Sequence, residues 1–355
     1  MIMNLTRDSG RLTADIRNEA LKIGFTKAGF APAGKTPYMT YFRNWLRSGF
    51  HGEMRYLKRQ AEKRGNPELV LPGVRSVIVA ALNYYSDEDT PASPLTGRIS
   101  RYALGADYHT AVMDRLERLL RFIKSEVPEA NGLCCADTGP VMEKVWGAET
   151  SVGWTGKHSG LVSRELGTRF FTGVILLDIP LKYDDRSKAL CGTCRRCLDA
   201  CPTGALVAPY QLDARKCLSY LTVEFRVSVP PELRPFAGNR IFGCDECQNV
   251  CPWNRFAVET TVEELMPRKE NLAPELLSMA GLSRETFGRR FAASPVLRAS
   301  RDGFVRNVMI ALGNSRCAEA VPALKAALAD ESPLVREHAE WALNQWSVIN
   351  KMELQ

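Results

Sequence analysis

Eight of the eleven cysteines in this 355-residue chain are spaced as ligands of iron–sulfur clusters. The first run reads C-x2-C-x2-C-x3-C-P and ends at Cys201-Pro202, and the second reads C-x2-C-x3-C-P and ends at Cys251-Pro252. In the first spacing, three thiolates bind one [4Fe–4S] cubane and the fourth crosses to another cluster. The second run lacks a local first cysteine, and Cys217 is its obvious replacement. The cysteines therefore predict electron transfer.

Crossed pairing assigns four ligands to each of two [4Fe–4S] clusters. One cluster is assigned Cys191, Cys194, Cys197 and Cys251, and the other is assigned Cys201, Cys217, Cys244 and Cys247. A zinc ribbon would use two C-x2-C pairs, and a disulfide framework is typical of short secreted chains. Neither alternative explains two C-x3-C-P endings. The remaining cysteines are expected to be buried thiols without chemistry: Cys134, Cys135 and Cys317.

Length and composition indicate a multidomain globular chain around these cysteines. The length predicts two or three domains, and 45% hydrophobic with 25% charged residues is usual for soluble proteins. The net charge of +7 permits a polyanionic partner without requiring one. Because residues 1–12 lack an apolar signal stretch, we expect a cytoplasmic protein with reduced thiols and no membrane partner.

Helical and strand patterns alternate up to about residue 185, which predicts an α+β fold. Apolar residues recur at helical spacing over 13–23 and 110–123, whereas 76–82 and 172–178 read as buried strands. We expect three domains: an N-terminal α/β domain over 1–185, a ferredoxin-type two-cluster domain over 186–256, and a helical domain over 257–355.

A short internal sequence repeat marks the helical C-terminal part. A Val-Arg pattern at Val305 returns at Val335, and each is followed by an Ala-Leu pair. Such a repeat is typical of HEAT-like helical hairpins. Because two units cannot bury a solenoid core alone, we expect them to pack against the rest of the protein.

Two glycine-containing stretches precede the cysteines. One is Ala136-Asp137-Thr138-Gly139-Pro140, and the other runs from Gly153 to Gly160. Such loops either bring backbone close to a large ligand or are plain turns, and Asp137 is equally suited to cap a helix. No Walker motif is present and no G-x-G-x-x-G follows a strand, so the sequence shows no motif for binding a nucleotide cofactor.

Taken together, the motifs resemble the epoxyqueuosine reductase family over nearly the whole chain. The resemblance is carried by His51-Gly52-Glu53-Met54-x-Tyr56-Leu57, Asp107-Tyr108-His109, Asp137-Thr138-Gly139-Pro140, Gly153-Trp154-x-Gly156-Lys157, the first cysteine run and Gly243-Cys244-Asp245-x-Cys247-Gln248. It implies a cobalamin-dependent enzyme with a nitroreductase- or reductive-dehalogenase-like catalytic domain.

The implied reaction converts epoxyqueuosine to queuosine at the wobble position of a tRNA anticodon, as the last step of queuosine biosynthesis. Removing the epoxide oxygen as water requires two electrons and protons. Clusters deliver electrons singly, and a corrinoid accumulates them as Co(I). The resemblance implies tRNA as substrate. We expect a flavodoxin or ferredoxin as electron donor, and a monomeric enzyme.

Site residues follow from the same resemblance. Asp137 is implied as the proton donor, which requires burial to raise the pKa of its carboxyl. In Asp107-Tyr108-His109 the motif of a cobalt-ligating histidine is incomplete, because Val112 replaces its glycine. His109 is therefore expected to make a structural or substrate-side hydrogen bond. Corrin contacts are expected from Arg64, Arg101, Asp137, Gly153, Trp154, Gly156, Lys157 and His158. Thr155 and His158 depart from the family's usual loop.

A basic run near the start of the helical part predicts contacts with tRNA phosphates. Its arginines are Arg284, Arg289, Arg290, Arg298, Arg301 and Arg306. The alternative is a solvated helix face.

Two other functions fit the cluster motifs. One is cobalamin-dependent reduction of a small molecule, as in reductive dehalogenases, which carry a twin-arginine leader and lack a HEAT-like tail. The other is a ferredoxin-like electron carrier, which would not need the long glycine-loop domain.

Overall fold

The computed structural model describes residues 8–88 and 93–353. The strands in these ranges are β1 Lys27–Pro32, β2 Ser76–Asn83, β3 Arg98–Ile99, β4 Gly132–Cys135, β5 Trp154–Thr155, β6 Leu161–Val162, β7 Phe170–Leu177, β8 Leu206–Ala208, β9 Gln211–Leu212 and β10 Arg240–Phe242. They form one four-stranded sheet, of order β1-β2-β7-β4, and three two-stranded pairs. All neighbours in the four-stranded sheet are antiparallel.

Helices surround this sheet and make up most of the C-terminal part. Before the cysteine runs they are α1 Ser9–Ile23, α2 Met39–Arg47, α3 Arg55–Arg59, α4 Ala61–Gly65, α5 Tyr108–Glu126 and α6 Glu143–Ala148. From the first run onward they are α7 Arg196–Asp199, α8 Leu218–Val223, α9 Arg234–Ala237, α10 Glu246–Asn249, α11 Lys269–Leu272, α12 Leu276–Ala280, α13 Arg284–Arg290, α14 Ser300–Ser315, α15 Ala320–Ala327 and α16 Pro333–Glu353. None of the helices in the described ranges is long and apolar enough to cross a membrane.

The central strand β2 is buried along its whole length, which explains its unbroken apolar sequence. Ile78 and Leu82 pack with α1 and α5 on one face, whereas Val77 and Val79 pack with Trp146 on the other. The two helices and two strands predicted in this part of the sequence are confirmed, with slightly longer bounds.

Helix α14 lies at the centre of a second core that unites the cysteine segment with the C-terminal helices. Its Asn307 Nδ2 donates to the carbonyl oxygens of Thr222 and Ile241, both at 2.9 Å. The repeat valines Val305 and Val335 are both fully buried in this core. The expectation that the C-terminal helices pack against the rest of the protein is confirmed.

Candidate active site and cluster-binding region

The structure brings the eight cysteines close together, largely in the two predicted sets, although Cys247 of the second set also lies near Cys197 of the first. In the first cysteine group, comprising Cys191, Cys194, Cys197 and Cys251, the thiols of Cys197 and Cys251 each interact with the other members from the first run. The four also line one cavity. In the second cysteine group, comprising Cys201, Cys217, Cys244 and Cys247, Cys217 neighbours Cys201, and both Cys244 and Cys247 neighbour Cys217.

Two short helices produce this crossing. Helix α7 carries Cys197 and helix α10 carries Cys247, and the two helices contact each other. Each is followed by a cysteine and a proline, and proline cannot continue a helix. The cysteine before each proline therefore leaves its own helix. Among the described residues, no three His, Cys, Asp or Glu side chains are placed to hold a single metal ion, as a zinc site requires.

A second constellation, the Asp137 cluster, consists of Asp107, Tyr108, His109 and Asp137. Asp107 caps the start of α5, so Tyr108 and His109 occupy its first turn. His109 Nδ1 lies 2.7 Å from Asp107 Oδ1, and its Nε2 lies 3.2 Å from Asp137 Oδ2. The Tyr108 hydroxyl donates to the same Asp137 oxygen at 3.0 Å. One imidazole thus bridges two carboxylates.

The loop after β4 presents Asp137 to this helix. Asp137 has φ of 58°, a left-handed conformation that is uncommon outside glycine and clusters at functional sites. Its side chain is 66% exposed, so the carboxylate remains accessible although it is hydrogen-bonded. Tyr108 is held on both sides, because its ring stacks at 4.1 Å from His109 and 4.2 Å from Phe171.

Hydrogen bonding favours the protonated form of His109 and the ionised form of Asp137. The bonds to Asp107 and Asp137 raise the pKa of His109 to about 9. The hydrogen bond from His109 lowers the pKa of Asp137, outweighing the effect of burial. The expectation that burial raises the pKa of Asp137 is therefore wrong for this structure. The expectation that His109 makes a hydrogen bond is confirmed.

Glu143, the first residue of α6, lies behind the Asp137 loop. Burial raises the pKa of its carboxyl to about 7, and the nearby Asp137 carboxylate contributes in the same direction. Its Oε1 is buried and has no hydrogen-bond partner among the described residues. Glu143 is thus a second carboxyl close to Asp137, with one oxygen buried and unpaired.

Several neighbouring side chains also bury a polar atom without a partner in the described chain. These atoms are Arg64 Nε, Trp146 Nε1, Trp154 Nε1, His158 Nε2 and Ser159 Oγ. Arg64 donates to the Val141 carbonyl at 3.2 Å, close to Glu143, and His158 lines the cavity of the first cysteine group. Arg64, near Glu143 and Asp137, and His158, beside the first cysteine group, therefore carry unpaired donors, and unpaired buried polar groups require an explanation.

Some predicted corrin contacts have other partners. Arg101 Nη1 donates to the carbonyl oxygens of Ser86 at 3.0 Å and Glu88 at 3.1 Å. Lys157 Nζ donates to two carbonyls in the loop of the first cysteine group. Both cations are engaged by backbone, which the sequence did not indicate.

The second glycine loop is a tight hairpin formed by β5 and β6. A side chain at Gly153 would clash with the Val162 carbonyl oxygen, and one at Gly156 would meet His158 Nε2 at 2.9 Å. These glycines are therefore required by close packing within the chain. His158 Nδ1 accepts the Gly160 N–H at 3.0 Å, and burial lowers the pKa of His158 to about 4.

The six arginines of the basic run do not form one surface. Arg306 is fully buried, and Arg301 is 8% exposed and ion-paired with Asp330. These two are not available to a phosphate, so their predicted role is wrong. The remaining four lie at least partly at the surface: Arg284, Arg289, Arg290 and Arg298.

Sequence reasoning missed Tyr108 and Glu143 as members of the site. Tyr108 stands inside a motif that carries the family resemblance, so its position beside His109 was an available signal. Glu143 gave no signal, because a glutamate at a helix start is usually a solvated residue that interacts with the helix dipole.

Comparison with known proteins agrees with this geometry. Residues 190–254 match the family model of the 4Fe-4S double cluster binding domain, and residues 64–138 match that of Epoxyqueuosine reductase QueG, DUF1730. The chain is therefore an iron–sulfur oxidoreductase.

Relatives along the whole chain define it further. Epoxyqueuosine reductase of Escherichia coli (strain K12) is 39% identical over 342 residues, covering 95% of this chain and 90% of the relative. That of Pseudomonas aeruginosa is 40% identical over 344 residues, covering 95% of both chains. This chain belongs to the epoxyqueuosine reductases, and the family predicted from its motifs is confirmed.

Solved structures show the same mixed α/β fold. A crystal structure of epoxyqueuosine reductase with an epoxyqueuosine-modified tRNA-Tyr stem loop superposes with a TM-score of 0.88 at 30% identity, covering 95% of this chain and 90% of that one. The Bacillus subtilis enzyme, with its catalytic aspartate loop swung out of the active site, gives 0.88 at 29% identity with the same coverage.

Proposed function

We propose that this chain reduces epoxyqueuosine to queuosine at the wobble position of tRNA anticodons, as the last step of queuosine biosynthesis. The observation that carries the proposal is the Asp137 cluster, which lies in one fold with two crossed cysteine groups. The overall reaction takes up two electrons and two protons, and it releases the epoxide oxygen as water. The cysteine groups hold two [4Fe–4S] clusters that supply the electrons.

Cobalamin is the proposed cofactor between the clusters and Asp137. The unpaired buried atoms there are mostly donors, which suit the amide carbonyls and phosphate of a corrinoid. Arg64, Trp154 and His158 are the residues that we assign to hold it. When bound, cob(I)alamin supplies a strong two-electron reductant and nucleophile.

The residues of the Asp137 cluster handle the protons. Asp137 is the proposed donor to the epoxide oxygen, because its carboxylate is accessible and shares hydrogen bonds with two proton-bearing groups. Protonated His109 supplies Asp137 with the first proton, the second comes from solvent through the exposed Asp137 carboxylate, and Asp107 orients the imidazole by its 2.7 Å contact.

We assign the domains to 1–185, 186–256 and 257–355, with a nitroreductase- or reductive-dehalogenase-like first domain and HEAT-like repeats in the last. The enzyme is proposed to be a cytoplasmic monomer that receives electrons from a flavodoxin or ferredoxin. A tRNA stem loop is bound in the crystal structure of the relative, which supports tRNA as substrate.

Anaerobic turnover is the direct test of this function. Purified full-length chain with reconstituted clusters is mixed with cobalamin, and its absorption spectrum reports corrin binding. Dithionite is then added with tRNA that contains epoxyqueuosine, and nucleoside analysis follows queuosine. No queuosine from enzyme that has bound corrin and about eight iron atoms would contradict the proposal.

Replacing Cys201 with Ser tests the crossed ligation. We expect the cluster of the second cysteine group to be damaged and that of the first to remain, because Cys201 neighbours Cys217 across the two runs. Iron analysis and electron paramagnetic resonance measure the effect. Cys317→Ser, outside both groups, is the matched control and should leave both clusters intact. Loss of the first group's cluster from Cys201→Ser would show that the crossing is wrong.

Charge reversal at Arg289 and Arg290 tests the tRNA surface. The double variant, with both changed to Glu, should bind tRNA more weakly. The slope of the logarithm of the binding constant against the logarithm of the salt concentration should also become shallower, by roughly 0.7–0.9 for each phosphate that is no longer neutralised. Fluorescence anisotropy over a salt series measures both quantities. The control reverses Arg118 and Arg121, two exposed residues of α5. Equal slopes in the two double variants would exclude Arg289 and Arg290 from tRNA binding.

The pH dependence of turnover tests the role of His109. Its pKa is raised to about 9, so the imidazole is protonated below that value and the rate should fall as the pH rises through it. His109→Gln should be slower by about tenfold or more at neutral pH and should lose this alkaline limb. Single-turnover rates across the alkaline range measure both effects. An unchanged alkaline limb in His109→Gln would assign it to another group.

A further inference from the structure

Lys157 lies against the loop of the first cysteine group. Its Nζ donates to the carbonyl oxygens of Gly192 at 2.6 Å and Cys194 at 2.9 Å. Both carbonyls belong to the segment that holds the first two cysteines of the run. Lys157 also lines the cavity that these cysteines form. Its ammonium group therefore stands beside the space that we assign to one cluster.

The surroundings of Lys157 hold this charge in place. Its carbonyl oxygen accepts the Tyr210 N–H at 2.9 Å, and the preceding Gly156 N–H donates to the Gly160 carbonyl at 2.7 Å. No carboxylate among the described residues forms an ion pair with Lys157. The two carbonyl partners are neutral, so the positive charge is not compensated by a neighbouring anion.

We propose that Lys157 raises the reduction potential of the [4Fe–4S] cluster held by the first cysteine group. This inference rests on the cluster ligation in the proposed function. Reduction adds one electron to the cluster, and no bond forms or breaks. The added negative charge is stabilised by a fixed ammonium nearby, and cluster potentials depend on net charge and hydrogen bonding. Because the site is partly buried, water screens this interaction less than it does at the surface.

The electron for this step comes from an external one-electron carrier, which is oxidised as the cluster is reduced. Gly192 and Thr193 in the same loop are exposed, so the cluster is approached by such a carrier from this side. A raised potential at this point favours transfer from the carrier to the cluster. Lys157 thereby assists electron entry and takes no part in the chemistry on the epoxide.

Redox titration of the full-length, cluster-reconstituted chain tests the proposal without cobalamin or tRNA. Electron paramagnetic resonance follows each cluster in wild type, Lys157→Gln and Lys157→Arg. Gln removes the charge and keeps a donor for the carbonyls, whereas Arg keeps the charge. The control is Lys188→Gln, which removes the same charge from an exposed residue close to the same run.

We expect Lys157→Gln to lower the reduction equilibrium constant of the first group's cluster by about tenfold, which is about 59 mV for one electron. Lys157→Arg and Lys188→Gln should stay near wild type, and the second group's cluster should not shift. An unshifted potential in Lys157→Gln at full iron content would overturn the proposal. A wild type without a cluster at the first group would instead overturn the cluster assignment, whereas failed turnover alone would not affect this result.

Discussion

Asp137→Asn should abolish most turnover while leaving the clusters, corrin binding and tRNA binding intact. The substitution keeps the shape of the side chain and removes the carboxylate. That carboxylate is hydrogen-bonded to His109 at 3.2 Å and to Tyr108 at 3.0 Å. Loss of a positioned acid or base typically costs on the order of 10²–10⁴ in rate. Single-turnover conversion of epoxyqueuosine in tRNA, under saturating dithionite, measures that cost.

Two comparisons make this result specific. Asp114→Asn removes an exposed carboxylate from the same helix α5 and should retain the wild-type rate. A group that acts in the transition state lowers turnover without weakening substrate binding, so the affinity for tRNA should be equal in all three proteins. Near-normal turnover of Asp137→Asn would reassign Asp137 to shaping the turn after β4.

Arg306→Leu should clearly lower the stability of the helical part. The guanidinium donates to the carbonyl oxygens of Leu221 at 2.6 Å and of Phe225 and Val227 at 2.9 Å. Leucine would leave the buried Leu221 carbonyl and the partly buried carbonyls of Phe225 and Val227 without this donor. Because one unsatisfied buried acceptor costs about 1–3 kcal/mol, we expect a loss of at least that size in the free energy of unfolding.

Urea titration of the anaerobic protein, followed by tryptophan fluorescence, measures this change. The matched control is Arg289→Leu, in which the same side chain is lost from a position that is 70% exposed. Surface substitutions of this kind usually lie within about 0.5 kcal/mol of wild type. Equal midpoints for the two variants would show that Arg306 does not hold the segment from Leu221 to Val227.

The two cysteine runs could be recognised in the sequence because cluster ligands within a run are spaced by only a few residues. Cys217, far from Cys244 along the chain, could be assigned only as the missing ligand. The buried strands β2 and β7 were predictable for a similar reason, since two covered faces require an uninterrupted apolar run. Asp137 was predicted as a site residue from the family resemblance. Its contact with His109 could not be predicted, because it depends on how the start of α5 meets the loop after β4.

The charged residues show where sequence reasoning fails. Arg306 and Arg289 look alike in a basic run, yet one is fully buried and the other is largely exposed. Lys157 follows a glycine loop, and only the approach of residues 192–194 reveals its partners. A long cationic side chain can reach solvent, a ligand or a distant carbonyl, and tertiary packing decides among these.

Asn307 also determines how the second cysteine group tolerates changes in chain length. Its amide joins Thr222, shortly after Cys217, to Ile241, shortly before Cys244. The distance between these two ligands is therefore set by their shared contact with α14 and not by the number of residues between them. We therefore expect an insertion at the surface of this interval to leave both cysteines in place. Removing α14 would remove the two hydrogen bonds that fix this distance, so the geometry of the second cysteine group depends on the helical part of the chain.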